Sequence, residues 1–245
     1  MASKIVPAFA RGQGKPDARR VDHRFQQRGR LMLRYVKTAA KEALAPVLYK
    51  HPPSGLAPER LAIYLTALLE RRELPGDVAE VGCNIGGTAA IAARMLRRVE
   101  NRSRYICYDT FGGFVPEQFS ADARTGTTEN SRTMFSANST RLVRKILDLH
   151  DCEHVELVAG DIATVAEGLL SPVYSVVLVD VDLSEPTYVA LKRFWPRLAP
   201  GGAIFVDDCQ EDGEWKAQVG YRRFCSEYSL PEEYHFGLGV LHRSL

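Results

Sequence analysis

Short apolar segments alternate with helical segments over residues 76–245, and this alternation restricts the fold more than any other feature of the chain. Residues 176–179 are four hydrophobic residues in a row, which is typical of a strand buried on both faces. Strands that alternate with helices form a doubly wound, mostly parallel sheet with helices on both faces. We therefore predict an α/β fold that residues 234–243 close with an antiparallel hairpin. The predicted strands cover residues 78–81, 105–108, 155–158, 176–179 and 203–206, and the predicted helices cover residues 88–99, 141–149, 163–170, 185–195 and 215–228.

The N-terminal part of the chain is strongly basic, although the net charge of all 245 residues is only +2. Residues 1–50 contain 12 Lys and Arg against 3 Asp and Glu, so the rest of the chain carries −7. Phe25, Met32 and Val36 recur at helical spacing between the arginines, which predicts an amphipathic helix over residues 20–45.

A turn-rich segment, HPPSG at residues 51–55, separates this helix from the rest of the chain. Pro58 then opens a second predicted helix, because proline is favoured in a first helical turn. We predict two parts: a basic helical extension, residues 1–55, and one α/β domain, residues 56–245.

A basic extension can bind nucleic acid, anionic lipid or an acidic partner, or it can simply present a solvated helix face. We expect the solvated face, with the apolar side docked on the main domain or on a second copy in a homo-oligomer. The acidic character of residues 51–245 argues against a nucleic-acid partner.

The location of the protein is predicted from features that are missing. The arginine-rich start is similar to an organellar transit peptide but poor in serine, and it lacks the apolar core of a secretory signal. No apolar run approaches the roughly 20 residues that span a bilayer. The five cysteines are scattered without a C-x-x-C pair, so we expect reduced thiols in a cytoplasmic protein without a membrane span.

Ligands of doubly wound sheets bind beyond the carboxyl ends of the strands. The first strand ends in the turn EVGCNIGGT, residues 80–88, where glycines allow close backbone approach and the next helix offers unpaired N–H groups. Asp109 ends the second strand and can accept hydrogen bonds from ribose hydroxyls. Gly160 and Asp161 end the third, where they can hold an adenine edge. A tight turn and helix caps are the alternatives, but together the three sites predict a pocket for an adenosine-containing ligand.

Four carboxylates follow the fourth and fifth predicted strands: Asp180, Asp182, Asp207 and Asp208. If these strands are neighbours, the repulsion between the carboxylates is costly unless a cation neutralises it. Oxygen ligands in this number suit Mg²⁺, Mn²⁺ or Ca²⁺ rather than zinc. The alternative is that some of the four cap helices or pair with Lys192 or Lys216.

Residues 56–245 resemble the macrocin O-methyltransferase family, the metal-dependent sugar methyltransferases. The resemblance rests on the segments EVGCNIGGT, YDTFGGF, VDVDLSEPTYVALKRFWPRLAPGG and VDD. It implies a Rossmann-like, class I methyltransferase fold with S-adenosylmethionine as the methyl donor. The implied acceptor is a hydroxyl of a saccharide or glycosylated natural product, such as an antibiotic sugar or a polysaccharide precursor.

The same resemblance implies roles for individual residues. Mg²⁺ or Mn²⁺ would be held by Asp180, Asp207 and Asp208, and Asp182 would be the general base. Asp109 would bind the ribose of the donor, and Asp161 would lie near its adenine. The implied donor-binding residues are Glu80, Gly82, Gly86, Thr88, Asp109, Thr110, Phe111, Gly160, Asp161 and Ile162.

The chain departs from the family pattern D-G-D-x-Y-E-S-T, because Val181 replaces the glycine and Ser184 the tyrosine. The carboxylates are kept but the acceptor side is altered, which puts a macrolide sugar in doubt. Residues 112–131 are predicted to be a long irregular segment that closes over the site, and Phe111, Phe114 and Phe119 are predicted to offer surfaces for cofactor or sugar.

Competing classes fit the sequence less well. Catechol-type small-molecule O-methyltransferases share the glycine turn and the metal acids but place a lysine in the region of Leu183. An NAD-linked dehydrogenase would need another glycine spacing and no acids after both strands. A nucleic-acid methyltransferase that acts on a base amine would need an Asn/Asp-Pro-Pro-Tyr/Phe motif. A binding module without chemistry would have no reason to keep four acids.

Overall fold

The computed structural model describes residues 18–210 and 214–244, with the side chains of the first helix from residue 28 onward. The first 17 residues, which carry most of the predicted targeting features, lie outside the described residues, as does the side chain of Phe25. The helices are α1 Ala18–Leu48, α2 Pro58–Glu70, α3 Gly87–Arg98, α4 Pro116–Ala123, α5 Thr140–Leu149, α6 Ser184–Phe194 and α7 Ala217–Tyr228. The strands are β1 Asp77–Val81, β2 Tyr105–Asp109, β3 Glu156–Ala159, β4 Tyr174–Val179, β5 Leu198–Val206, β6 Tyr234–His235 and β7 Leu238–His242.

The seven described strands form one sheet in the order β3-β2-β1-β4-β5-β7-β6. The first five run parallel, and β7 and β6 add an antiparallel edge. The strand order reverses between β1 and β4, which is where such sheets bind ligands. The doubly wound Rossmann-like fold and its closing hairpin are therefore confirmed, and β4 is buried along its whole length as predicted.

Two apolar layers cover the faces of this sheet. Alternate strand residues point to opposite sides, so Val78 packs under α2, α3 and α5 whereas Ala79 packs under α6 and α7. The aromatic residues Tyr64 of α2 and Phe194 of α6 are fully buried in the two layers. All five cysteines are free and buried, and they belong to these two layers.

The N-terminal helix α1 is longer than predicted and lies along α5 with its polar side inward. Lys41 Nζ, for example, donates a hydrogen bond to the carbonyl oxygen of Ala137 at 3.0 Å. Met32 and Val36 face outward and are 70% and 63% exposed. No helix among the described residues is both long and apolar enough to cross a membrane.

The segment 112–131, which we expected to be irregular, contains α4 and a 3₁₀ turn at Glu129–Thr133. Pro116 opens α4, where a proline leaves no N–H unsatisfied, and Phe119 and Asp122 are buried. The prediction was wrong because an eight-residue helix is too short to show a clear hydrophobic period.

Two further boundaries differ from the prediction. Residues 163–170 hold only a 3₁₀ turn at Glu167–Leu169, since Gly168 disfavours a regular helix. Strand β5 begins at Leu198 and includes Gly202, whereas the predicted strand began at residue 203. A Cβ at Gly202 would lie 2.8 Å from two backbone carbonyl oxygens, so a glycine is required for the close strand contact.

Candidate active site

A cavity of about 460 Å³ opens at the carboxyl ends of β1, β2, β4 and β5. Most of the predicted site residues line it: Glu80, Gly82, Thr88, Asp109, Thr110, Gly160, Asp161, Ile162, Asp180, Asp182, Asp207 and Asp208. Gly86 and Phe111 do not line it, and their role as donor contacts stays a prediction. Gly86 packs against Val143 of α5, and Phe111 is buried in the core beneath the cavity.

The glycine turn after β1 is needed for close contacts between backbone segments. Gly82 has a φ of +88°, and a Cβ there would lie 1.8 Å from the carbonyl oxygen of Asp180. A Cβ at Gly87 would lie 2.2 Å from the carbonyl carbon of Pro53. Protein packing thus accounts for these glycines, and the end of β4 approaches β1 closely enough to bring Asp180 to the cavity.

Asp109 joins the turns after β1 and β2. Its carboxylate accepts hydrogen bonds from the backbone N–H of Asn84 at 2.8 Å and of Phe111 at 2.7 Å. Both donors have positive φ, +48° and +49°, which is uncommon away from glycine. Burial raises the pKa of Asp109, and the two N–H donors partly oppose that shift. The carboxylate is therefore already oriented before any ligand arrives.

Asp161 caps the turn that follows β3, because it accepts a hydrogen bond from the backbone N–H of Ala163 at 2.9 Å. Its other oxygen accepts one from Gln118 Nε2 at 2.9 Å. Asp161 therefore has the cap role that was its alternative, here at a turn. Because Gln118 belongs to α4, Asp161 also joins α4 to the cavity wall.

Glu80 lies at the bottom of the cavity and is 2% exposed. Tyr105 donates its phenolic O–H to Glu80 Oε2 at 2.5 Å, and the Tyr105 oxygen lies 3.0 Å from that of Tyr64. Burial, with added repulsion from Asp109, raises the pKa of Glu80 to about 7 although the tyrosine favours the charged form.

The four acids after β4 and β5 meet at one end of the cavity, because the two strands are neighbours, which was the condition for the predicted cluster. Burial and then repulsion from Asp207 raise the pKa of Asp180, and burial and then Asp208 raise that of Asp182. The pKa of Asp207 is raised to about 6, first by burial and then by Asp208. Lys192 pairs with Glu227 instead, so it does not neutralise them.

Asp182 lies in a tight three-residue turn. Its φ is +62°, and the N–H of Leu183 donates to the carbonyl oxygen of Val181 at 2.7 Å. The carbonyl oxygen of Asp182 accepts a hydrogen bond from the N–H of Lys216 at 2.8 Å. The carboxyl group of Asp182 lies within hydrogen-bonding reach of Asp208. Left-handed backbone of this kind is concentrated at functional sites.

Asp182 does not cap helix α6, which was its alternative role. Asp122 of α4 caps it, accepting the Ser184 N–H at 2.7 Å and the Ser184 hydroxyl at 2.5 Å. Ser184, which replaces the tyrosine of the family pattern, therefore joins α6 to α4.

Sequence reasoning missed Arg60 of α2. Its Nη1 donates to Asp207 Oδ1 at 2.8 Å and to Asp208 Oδ1 at 2.9 Å. The signal that could have found it is its position four residues before Tyr64, on the buried face of α2. A buried arginine requires a partner of opposite charge, and the carboxylates after β5 are that partner.

The acids match a hard divalent cation in chemistry, since all four donors are carboxylates and their repulsion exceeds what one guanidinium offsets. In this conformation the described residues include no group of three or more His, Cys, Asp or Glu side chains arranged to hold a metal ion. The acids are therefore suited to such an ion by donor type and charge, and not by a ready-formed coordination group in the described part of the chain.

The mouth of the cavity is aromatic. The ring of Phe114 lies 5.4 Å from Phe119, 5.5 Å from Phe135 and 6.0 Å from Trp215, measured between centroids. Phe114, Phe135 and Trp215 line the cavity, whereas Phe119 is buried behind them. Of the two phenylalanines predicted within residues 112–131 as surfaces for a ligand, Phe114 lines the cavity and Phe119 does not.

Comparison with known proteins places these features in a family. Residues 79–209, more than half of the chain, match a family model described as a methyltransferase domain. The chain is 29% identical over 156 residues to an 8-demethyl-8-(2,3-dimethoxy-alpha-L-rhamnosyl)-tetracenomycin-C 4'-O-methyltransferase of Streptomyces olivaceus. That match covers 61% of this chain and spans 59% of the length of the relative.

Solved structures agree on the fold. The O-methyltransferase NovP superposes with a TM-score of 0.62 at 20% identity, over 76% of this chain and 79% of its own. The calicheamicin methyltransferase CalS11 superposes with a TM-score of 0.60 at 19% identity, over 96% and 99% of the two chains. At these identities the two structures show the fold alone, whereas the family match supports the predicted resemblance to methyltransferases.

The buried carboxyl of Glu80 predicts a pH dependence of stability. As pH rises from 4.5, the ordinary pKa of the group, to about 7, the unfolded chain loses this proton while the folded chain keeps it. Folding is then opposed by up to about 3 kcal/mol, a loss that Glu80→Gln removes. Urea unfolding of both proteins without cofactor, at pH 5 to 8, should show wild type losing stability relative to the variant. Parallel curves would contradict the assignment.

Proposed function

Because this chain belongs to the methyltransferase domain family, we propose that it transfers a methyl group from S-adenosylmethionine to a hydroxyl of a saccharide or glycosylated natural product, with a divalent metal. The observation that carries the proposal is that one cavity combines an oriented carboxylate after β2 with four carboxylates after β4 and β5. The names of two similar proteins support the acceptor class, one a rhamnosyl-tetracenomycin O-methyltransferase and the other a calicheamicin methyltransferase.

The donor lies, in this proposal, at the ends of β1, β2 and β3. Asp109 accepts hydrogen bonds from the ribose hydroxyls, and Asp161 lies beside the adenine. Glu80 and the turn after β1 surround the methionine part. The proposed donor-binding residues that line the cavity are Glu80, Gly82, Thr88, Asp109, Thr110, Gly160, Asp161 and Ile162. The proposal keeps Gly86 and Phe111, which follow β1 and β2, as further donor-binding residues.

Methyl transfer is an in-line displacement, so the chain must first align the acceptor oxygen, the methyl carbon and the sulfur. Asp180, Asp207 and Asp208 would hold Mg²⁺ or Mn²⁺, which when bound favours loss of the acceptor proton. Asp182 accepts that proton while the new C–O bond forms and the S–C bond breaks, leaving S-adenosylhomocysteine. Burial and repulsion from Asp208 raise the pKa of Asp182, which increases its basicity. Phe114 and α4 exclude water from the mouth.

We propose that residues 1–55 are an extension of the domain at residues 56–245 and that α1 pairs with a second copy of the chain in the cytoplasm. Support for the pairing comes from the outward apolar side of α1, which carries Met32 and Val36. The opposite charges of the extension and the domain favour association of two copies.

Charging that apolar side should reduce the assembly. Met32→Glu with Val36→Glu places two carboxylates where we expect a helix of the second copy, and burying unpaired charge is costly. Light scattering should show a smaller mass for this double variant. Leu169→Glu, at an exposed apolar residue of the 3₁₀ turn, is the matched control and should leave the mass unchanged. The pairing is refuted if the double variant keeps the wild-type mass.

Donor binding should not need the metal, because the proposed donor residues lie at strand ends other than β4 and β5. Calorimetry with S-adenosylhomocysteine in EDTA should give the same affinity as with Mg²⁺. Asp109→Ala should weaken binding by about 1.5–3 kcal/mol, since the ribose loses a charged acceptor. An absence of binding in EDTA would show that the two sites are not separate.

Asp182 and Asp180 should respond differently to substitution. Asp182→Asn should keep the affinity for Mn²⁺ and for S-adenosylhomocysteine and lower kcat by about 10²–10⁴-fold, as expected for a positioned base. Asp180→Asn should instead weaken Mn²⁺ binding, with partial rescue by excess metal. Labelled donor and a panel of glycosides provide the assay. If Asp182→Asn retained near-normal turnover, another group would be the base.

A further inference from the structure

Arg60 uses all three guanidinium nitrogens in hydrogen bonds around the end of β5. Besides Asp207 and Asp208, it donates through Nη2 to Gln210 Oε1 at 2.8 Å and through Nε to the carbonyl oxygen of Phe236 at 2.9 Å. The residue is only 8% exposed, although it lines the cavity. It lies in α2, outside the segment that matches the methyltransferase domain.

The hairpin turn between β6 and β7 is shaped to receive this guanidinium. Gly237 has a φ of +86°, and a Cβ there would lie 2.6 Å from Arg60 Nη2. The N–H of Cys209 donates to the carbonyl oxygen of Gly237 at 2.8 Å, so the turn also holds the backbone after β5. Asp208, which precedes Cys209 and itself contacts Arg60, has a φ of +54°. The end of β5 is thus fixed from two sides.

Arg60 contacts Asp207 and Asp208 through the same atom of each, Oδ1. Those two hydrogen bonds occupy one oxygen of each carboxylate, and the side chain of Asp208 also lies within hydrogen-bonding reach of Asp182. A planar guanidinium can hold two carboxylates and two further acceptors in one arrangement, whereas a lysine offers a single nitrogen.

We propose that Arg60 is a positioning residue for a divalent cation, which it serves by holding Asp207 and Asp208 through Oδ1 and presenting their other oxygens to the ion. The proposal rests on the metal site of the proposed function. Groups that orient metal ligands in this way commonly change metal affinity when they are replaced. The single positive charge of Arg60 leaves the four carboxylates with an excess of negative charge, so attraction for the ion persists.

Arg71 offers a matched control on the same helix surface. Its Nε donates to the carbonyl oxygen of Gly201 at 3.1 Å, and its Nη2 lies 3.4 Å from His242 Nδ1. It therefore also ties the end of α2 to β5 and β7, but at the opposite end of these strands from the cavity. Replacing Arg71 tests how much a guanidinium that joins α2 to the sheet contributes to stability, and it leaves the contacts of the four acids unchanged.

The experiment is a calorimetric titration of Mn²⁺ into the full chain saturated with S-adenosylhomocysteine. Arg60→Lys should weaken Mn²⁺ binding by about 10- to 100-fold while the affinity for S-adenosylhomocysteine stays unchanged. Arg60→Lys and Arg71→Lys should lower Tm by similar amounts, because each loses a guanidinium that joins α2 to the sheet. Arg71→Lys should nevertheless leave Mn²⁺ binding unchanged. Arg60→Met tests the charge, and we expect it to bind Mn²⁺ at least as weakly as Arg60→Lys.

Each alternative result has a distinct meaning. Wild-type affinity for Mn²⁺ in Arg60→Lys, or an equal loss in Arg71→Lys, would overturn the positioning role. Tighter Mn²⁺ binding in Arg60→Met would overturn it too, because Arg60 would then compete with the ion. If Arg60→Met does not fold, Arg60→Lys decides. If the wild-type protein binds S-adenosylhomocysteine but no Mn²⁺, the proposed metal site and the positioning role of Arg60 are both wrong. If it binds neither, the result contradicts the proposed function itself.

Discussion

Repulsion among four carboxylates at one end of a cavity is the constraint on which the rest of the site depends. Asp180 and Asp182 follow β4, and Asp207 and Asp208 follow the neighbouring β5. Their raised pKa values follow from burial and from one another's charge. Carboxylates held this close need positive charge nearby. Arg60 supplies one such charge from α2, and the proposed cation would supply the rest.

The backbone makes this crowding possible. Gly82 has no side chain where the carbonyl oxygen of Asp180 passes, so the ends of β1 and β4 come close together. Asp182 and Asp208 both have positive φ, which turns the chain sharply after each strand. Such conformations cost about 1–3 kcal/mol each in non-glycine residues and persist when the surroundings hold them in place. Here the N–H of Lys216 holds the first turn and the hairpin holds the second.

Helix α4 connects the cavity mouth with both halves of the site. Gln118 bonds Asp161 at the end of β3, and Asp122 caps α6 two residues after Asp182. A displacement of α4 would therefore disturb the donor side and the turn of the proposed base together. Ser184 takes part in this connection, which gives a structural reason for its departure from the family pattern.

The sequence by itself determined the fold class and the strand ends, because local hydrophobic periodicity defines β4 and its neighbours and acids placed directly after strands must share one edge. It also determined the family, through the segments around Asp109 and Asp180. Only the tertiary structure decided that Arg60 pairs with Asp207, that Asp122 rather than Asp182 caps α6, and that Phe111 packs in the core. The partners of the first two contacts lie 147 and 62 residues apart in the chain. The spacing of residues within one segment cannot predict contacts between residues so far apart in sequence. These contacts form only when α2 and α4 pack against the completed sheet.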